Sequence, residues 1–119
     1  YEELDSVKRN VMEDTFSKSS VMVIADKIGY ADGGVVSKQV LKNEAGNITL
    51  FSFDEGQGLS EHAAPFDALV QNLEGEAEIV LGGQPLQLKK GESVIMPAGV
   101  KHSLLAKTRF KMLLTMIRG

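Results

Sequence analysis

The chain contains no cysteine. That single absence excludes disulfides, thiolate zinc sites, iron–sulfur clusters and thiol catalysis. Apolar runs near the roughly 20 residues needed to cross a bilayer are also missing, which predicts no membrane partner. The first residues, Tyr1-Glu2-Glu3-Leu4-Asp5, are acidic where a signal peptide is basic, so the expected address is cytoplasmic. A start at Tyr1 instead of Met predicts that the natural N-terminus lies upstream or was trimmed. There is no basic excess: 13 Lys and Arg against 16 Asp and Glu give a formal charge of −3. Without that excess, nucleic acid is not an expected partner. Low-complexity segments, linkers and internal repeats are absent as well.

What is present reads as one globular domain. The 119 residues are too few for two domains, and 43% hydrophobic with 24% charged residues is ordinary for a chain that buries a core. Near the start, Leu4, Val7 and Val11 recur at helical spacing. Val21, Ile24, Ala25 and Ile28 do the same after Ser19-Ser20, which predicts a second short helix capped by serine. Asp32-Gly33-Gly34 ends this region, and the apolar period then changes to two. The expected division is an N-terminal helical extension over 1–34 and a β-barrel over 35–119.

Nine strands are expected: Val35 to Lys42, Asn47 to Phe53, Gly58 to His62, Phe66 to Leu73, Ala77 to Leu81, Pro85 to Leu88, Ser93 to Met96, His102 to Ala106 and Phe110 to Ile117. Gly-rich turns separate them and no helix intervenes, which argues for an antiparallel sandwich or barrel over a parallel sheet. In the last strand Phe110, Met112, Leu114 and Met116 alternate with Arg109, Lys111 and Thr115, so even positions point inward. Leu113 and Ile117 break the alternation. Apolar residues on both faces predict that the outer face is covered too, by the N-terminal helices or by a second subunit, and a homodimer is expected.

The only histidines are His62 and His102. Gly56 precedes His62 by six positions, and Gly91, Pro97, Gly99 and His102 follow one another at spacings of six, two and three. In these residues the chain resembles the cupin superfamily. Its second signature is matched without a gap through His102, with Ala106 in place of the terminal Asn. Its first signature is matched at Gly56, His62 and Gly75, while Ala64 and Ala68 occupy the other two ligand positions. The resemblance covers residues 35–117 and implies an antiparallel double-stranded β-helix, the jelly-roll cupin barrel, with His62 and His102 meeting in its mouth. It also supports a homodimer, because small single-domain cupins often pair.

Residues two apart on a strand share a face, which is why a His-x-His pair can clamp an ion and a later inward carboxylate can add charge. Here half of that set is gone. A divalent ion (Zn, Ni, Mn or Fe) would be held weakly by His62 and His102, with water or ligand oxygens completing its shell. Asp67 becomes a third ligand only if a bulge near Pro65 turns it inward. Phe66, Val70, Asn72, Met96, Phe110 and Met112 are the candidate lining of a small-molecule pocket; for all but Asn72, an inward amide and a weak metal ligand, core packing is the favoured alternative. Four readings stay open: a metal-dependent enzyme, a metal-free small-ligand-binding or sensing barrel, acid–base catalysis by two coupled imidazoles, and a structural role in dimerisation alone.

Overall fold

A computed structural model of the chain describes residues 16–118. Alternating apolar and polar residues bounded by glycine turns form nine strands. These are β1 Val35–Asn43, β2 Gly46–Phe53, β3 Gly58–His62, β4 Asp67–Glu74, β5 Ala77–Leu81, β6 Gln84–Leu88, β7 Ser93–Met96, β8 His102–Ala106 and β9 Phe110–Ile117. Their ends lie within one residue of the sequence-based expectation, because the punctuating turns are short and chemically distinct. Two antiparallel sheets result, ordered β1-β2-β9-β4-β7 and β3-β8-β5-β6. Chain neighbours repeatedly cross between the sheets, the arrangement of a jelly roll.

The core lies between the sheets. Phe53, Val70, Ile79, Phe110 and Met112 are at most 1% exposed, and the Phe53 and Phe110 rings lie 5.6 Å apart, centre to centre. The even positions of β9 face this interior as expected. Register then carries the inward face across the sheet, from Met112 to Asn72 and from Leu114 to Val70.

The segment before β1 departs from expectation. The first anticipated helix lies outside the described residues. The second is only a four-residue 3-10 turn, Ile24–Lys27, with no side-chain cap, and Ile28 is already extended. Val21 is fully exposed and only Ile28 of the four periodic residues is buried, so the spacing marks no buried helical face. The carbonyls that a continuing helix would use internally are taken by the outer face of the five-stranded sheet. Lys111 Nζ donates to Ala25 O at 2.7 Å, Lys38 Nζ to Lys27 O at 2.8 Å and Ser52 Oγ to Gly29 O at 2.7 Å. Residues 24–30 are therefore a strap. Ile28 and Leu50 are buried without belonging to the interior cluster, as expected for a segment laid on that face.

Polar contacts secure the strap's end. Tyr30 donates its hydroxyl proton to Glu74, and the Arg109 guanidinium and Lys111 ammonium lie over its ring at 5.0 and 5.2 Å. Burial, then the Glu74 contact, raises the Tyr30 pKa above the ordinary phenol value. Arg109 also bridges Asp32 at 2.7 Å and Asp54 at 3.0 Å. The Gly33 N–H, followed by Arg109, holds the Asp54 carboxyl below its usual range.

Candidate two-histidine site

His102 opens β8, an interior strand of the four-stranded sheet, and His62 closes β3 at its edge. Gly58 pairs with Leu105, Leu59 with Leu104 and His62 with His102, so Ser60 and Glu61 on β3 oppose Ser103 alone. This is a bulge. By alternation Leu59 and His62 belong to opposite faces, but the extra residue returns His62 to the inward side that Leu59 occupies. The bulge lies upstream of the one considered near Pro65, and the correction matters for Asp67. Asp67 pairs with Ile117, is exposed and accepts the Ala98 N–H at 2.8 Å, so it does not turn inward as a third ligand.

The two imidazoles meet edge to face, with ring centres 4.3 Å apart at 67°, and Nε2 lies 3.1 Å from Nε2. His62 Nδ1 lies 2.9 Å from Ser60 O and His102 Nδ1 3.2 Å from Val100 O. A carbonyl oxygen can only accept, so each Nδ1 acts as the donor in its contact. The two Nε2 atoms then face each other across 3.1 Å, a spacing at which a proton or a cation must lie between them, because bare lone pairs repel.

That donor set can be tested against a metal ion. Two nitrogens about 2.0–2.1 Å from one ion lie roughly 2.9–3.4 Å apart when they occupy neighbouring coordination positions, so the observed spacing fits. The ligand count is low. Among the described residues no group of three or more His, Cys, Asp and Glu converges. Ala68 is buried opposite Met96 and Met116, and Ala64 contributes its carbonyl to the Gly99 N–H at 2.8 Å.

The cavity beside the imidazoles measures about 40 Å3. Three of the candidate lining residues, Val70, Met96 and Met112, border it together with both histidines. The other three lie elsewhere. Phe110 is wholly buried in the core, and Phe66 borders a separate surface cleft beneath the Arg118 guanidinium, 5.4 Å from its ring. Asn72 is a buried tie: its Nδ2 donates to Gly75 O at 2.9 Å and to Leu88 O at 3.0 Å, while its Oδ1 has no partner. Leu59, Ile79, Leu104 and Leu114 complete the apolar wall. Leu104 and Leu114 were readable by parity from His102 and Met112, whereas Leu59 joins them only because of the bulge.

The family model for the cupin domain matches residues 49–117. The chain belongs to the cupin family. It is similar to a conserved protein of unknown function from Streptococcus pyogenes, with 29% identity over 89% of this chain and 93% of that one and a TM-score of 0.84. A cupin superfamily protein from Desulfitobacterium hafniense is 28% identical over 89% of this chain and 97% of that one, with a TM-score of 0.83. A cupin 2 conserved barrel domain protein from Leptotrichia buccalis is 40% identical over 79% of this chain but only 46% of that one, with a TM-score of 0.76. No curated relative matches the sequence.

Proposed function

We propose that His62 and His102 bind one divalent transition-metal ion, zinc, nickel, manganese or iron, and present it to a small ligand at the barrel mouth. The observation that carries this reading is the pair of Nε2 atoms facing each other at 3.1 Å while both Nδ1 atoms lie against backbone carbonyls. An ion there would act as a Lewis acid, and its protein ligands are two neutral nitrogens that leave its charge undiminished. Holding is weak because no carboxylate among the described residues joins them.

Cavity size bears on the ligand. About 40 Å3 is room for roughly three waters at 10–15 Å3 each, well short of the roughly 300–1,000 Å3 of sites that enclose drug-sized organic molecules. Only the polar end of a ligand enters beside the imidazoles; its body stays outside. Apolar walls of leucine and methionine favour the second reading, a metal-free ligand-binding barrel, because methionine side chains rearrange readily to open space. In that case a shared proton takes the position between the rings.

Calorimetry on chelator-stripped protein separates the two readings. The expected result is one ion per chain, with binding abolished in both His62→Gln and His102→Gln. Absence of heat and of retained metal for all four ions would overturn the metal reading, and ligand binding that is insensitive to EDTA would favour the second.

A further inference from the structure

The cavity beside the two imidazoles is defined chemically by the heteroatoms that its wall supplies. Leu59, Val70, Ile79, Leu104 and Leu114 are aliphatic, and Ser103 alternates to the face opposite His102 and Leu104. Apart from the histidines, only Met96 and Met112 bring a side-chain heteroatom to it. Both carry sulfur. The chain has no cysteine to supply a thiolate, and no carboxylate among the described residues gathers there with the histidines. The donors on offer are therefore two imidazole nitrogens and thioethers, a neutral and soft set.

Position in the barrel separates the two methionines. Met96 ends β7, the Pro97-Gly99 turn follows it towards His102, and the Gly99 N–H binds Ala64 O just beyond His62. That places Met96 at the histidine end. Its partner across the ladder is Ala68, which register sets between Met96 and Met116 and which carries only a methyl group. A long, flexible thioether beside so small a neighbour has room to lean over it. Met112 pairs two inward rows deeper, opposite Asn72, and is 1% exposed against 7% for Met96.

We infer that this pocket holds copper(I), with the Met96 thioether joining His62 and His102 as its third ligand. Softness selects the ion, because thioether sulfur favours copper(I) whereas manganese favours the oxygen donors that this wall lacks. Charge points the same way. The cost of desolvating an ion grows with the square of its charge, so an apolar wall without a carboxylate accepts a monovalent ion more readily than a divalent one. Geometry calls for the third donor. With imidazole–metal bonds of about 2.0–2.1 Å, nitrogens 3.1 Å apart subtend about 100° at the ion, far from the straight line of two-coordinate copper(I). The inference rests on the two-histidine site proposed above and changes the ion that it prefers.

Anaerobic competition for copper(I) against a chromophoric chelator, run beside zinc calorimetry on the same full-length proteins, tests it. The wild type is expected to take one copper(I) per chain and to hold it more tightly than zinc. Met96→Leu conserves volume and should fold. It is expected to weaken copper(I) binding about 10–100-fold, no less than the loss of a metal site's outer partner costs, and to leave zinc binding unchanged. Met22→Leu, on the exposed segment before the strap, is expected to change neither. X-ray absorption at the copper edge should show a sulfur neighbour in the wild type that disappears in Met96→Leu. Copper(I) affinity unmoved by Met96→Leu, or the lack of a sulfur neighbour, overturns the inference, and zinc binding would then leave the two-histidine site standing. Met96-dependent copper(I) binding without any heat from zinc would do the reverse, keeping this inference and removing the divalent ion. A wild type that binds neither ion overturns both.

Discussion

His102 and His62 meet at one point but are held by very different surroundings. His102 is 8% exposed on an interior strand, entered from the Pro97-Gly99 turn. His62 is exposed, ends an edge strand, and faces inward only through the Ser60-Glu61 bulge. The glycine frame is alike in both halves, with Gly56 and Gly99 at φ of +85° and +78°. What differs is the match to the cupin signatures, because Ala64 and Ala68 stand where the resemblance implies an imidazole and a carboxylate. Backbone architecture and metal chemistry can therefore change independently. Turns depend on local φ and are kept by the need to fold, whereas ligands depend only on what the site must hold.

The largest effect is expected from giving the first half its missing charge. Ala68→Glu places a carboxylate at a site that is 4% exposed, and burying it unpaired should cost roughly 3–5 kcal/mol in metal-free protein. Adding zinc or manganese should recover much of that loss if Glu reaches the ion, as read by urea denaturation with and without metal. An equal loss under both conditions would show that position 68 faces core alone.

Removing each imidazole sharpens the contrast. His102→Ala should cost about 2 kcal/mol, because it empties a packed position and strips Val100 O of its partner. His62→Ala should stay within about 0.5 kcal/mol, as befits an exposed side chain. Both should abolish metal binding to the same extent. Equal stability losses would mean that the two histidines are equally structural.

The smallest difference is expected between the motif glycines. A methyl group at Gly56 or Gly99 meets nothing within 4 Å, so each change to Ala should cost only the left-handed backbone term, about 1–2 kcal/mol. Chemical denaturation of the two variants should give the same midpoint shift. A clear inequality would break the claim that one frame serves both halves.

Much of this was readable from residues alone. Strand ends followed from turn chemistry, the inward face of β9 from its alternation, and the proximity of the two histidines from the resemblance to the cupin signatures. Val70, Met96 and Met112 border the cavity beside the imidazoles; the register is regular around Val70, while Met112 adjoins the irregularity between Asn72 and Glu74. Asn72 has the expected face but ties Gly75 and Leu88 and does not border the cavity, because parity says nothing of which carbonyls an amide will find. The anticipated second helix failed for a related reason: apolar spacing at 21, 24, 25 and 28 shows periodicity, not what the carbonyls will bond to.

Local rules thus determined the number, order and facing of the strands, because alternation and turn formation act over a few residues. The tertiary structure alone decided the bulge that turns His62 inward, the contact that sets the two Nε2 atoms opposite each other, and the strap that covers one end of the five-stranded sheet's outer face. Each of these depends on a partner distant in sequence: Ser103 across from the bulge, His62 across from His102, Lys111 beneath Ala25. Pairings of that kind are set by the packed chain as a whole, and no short-range pattern encodes them.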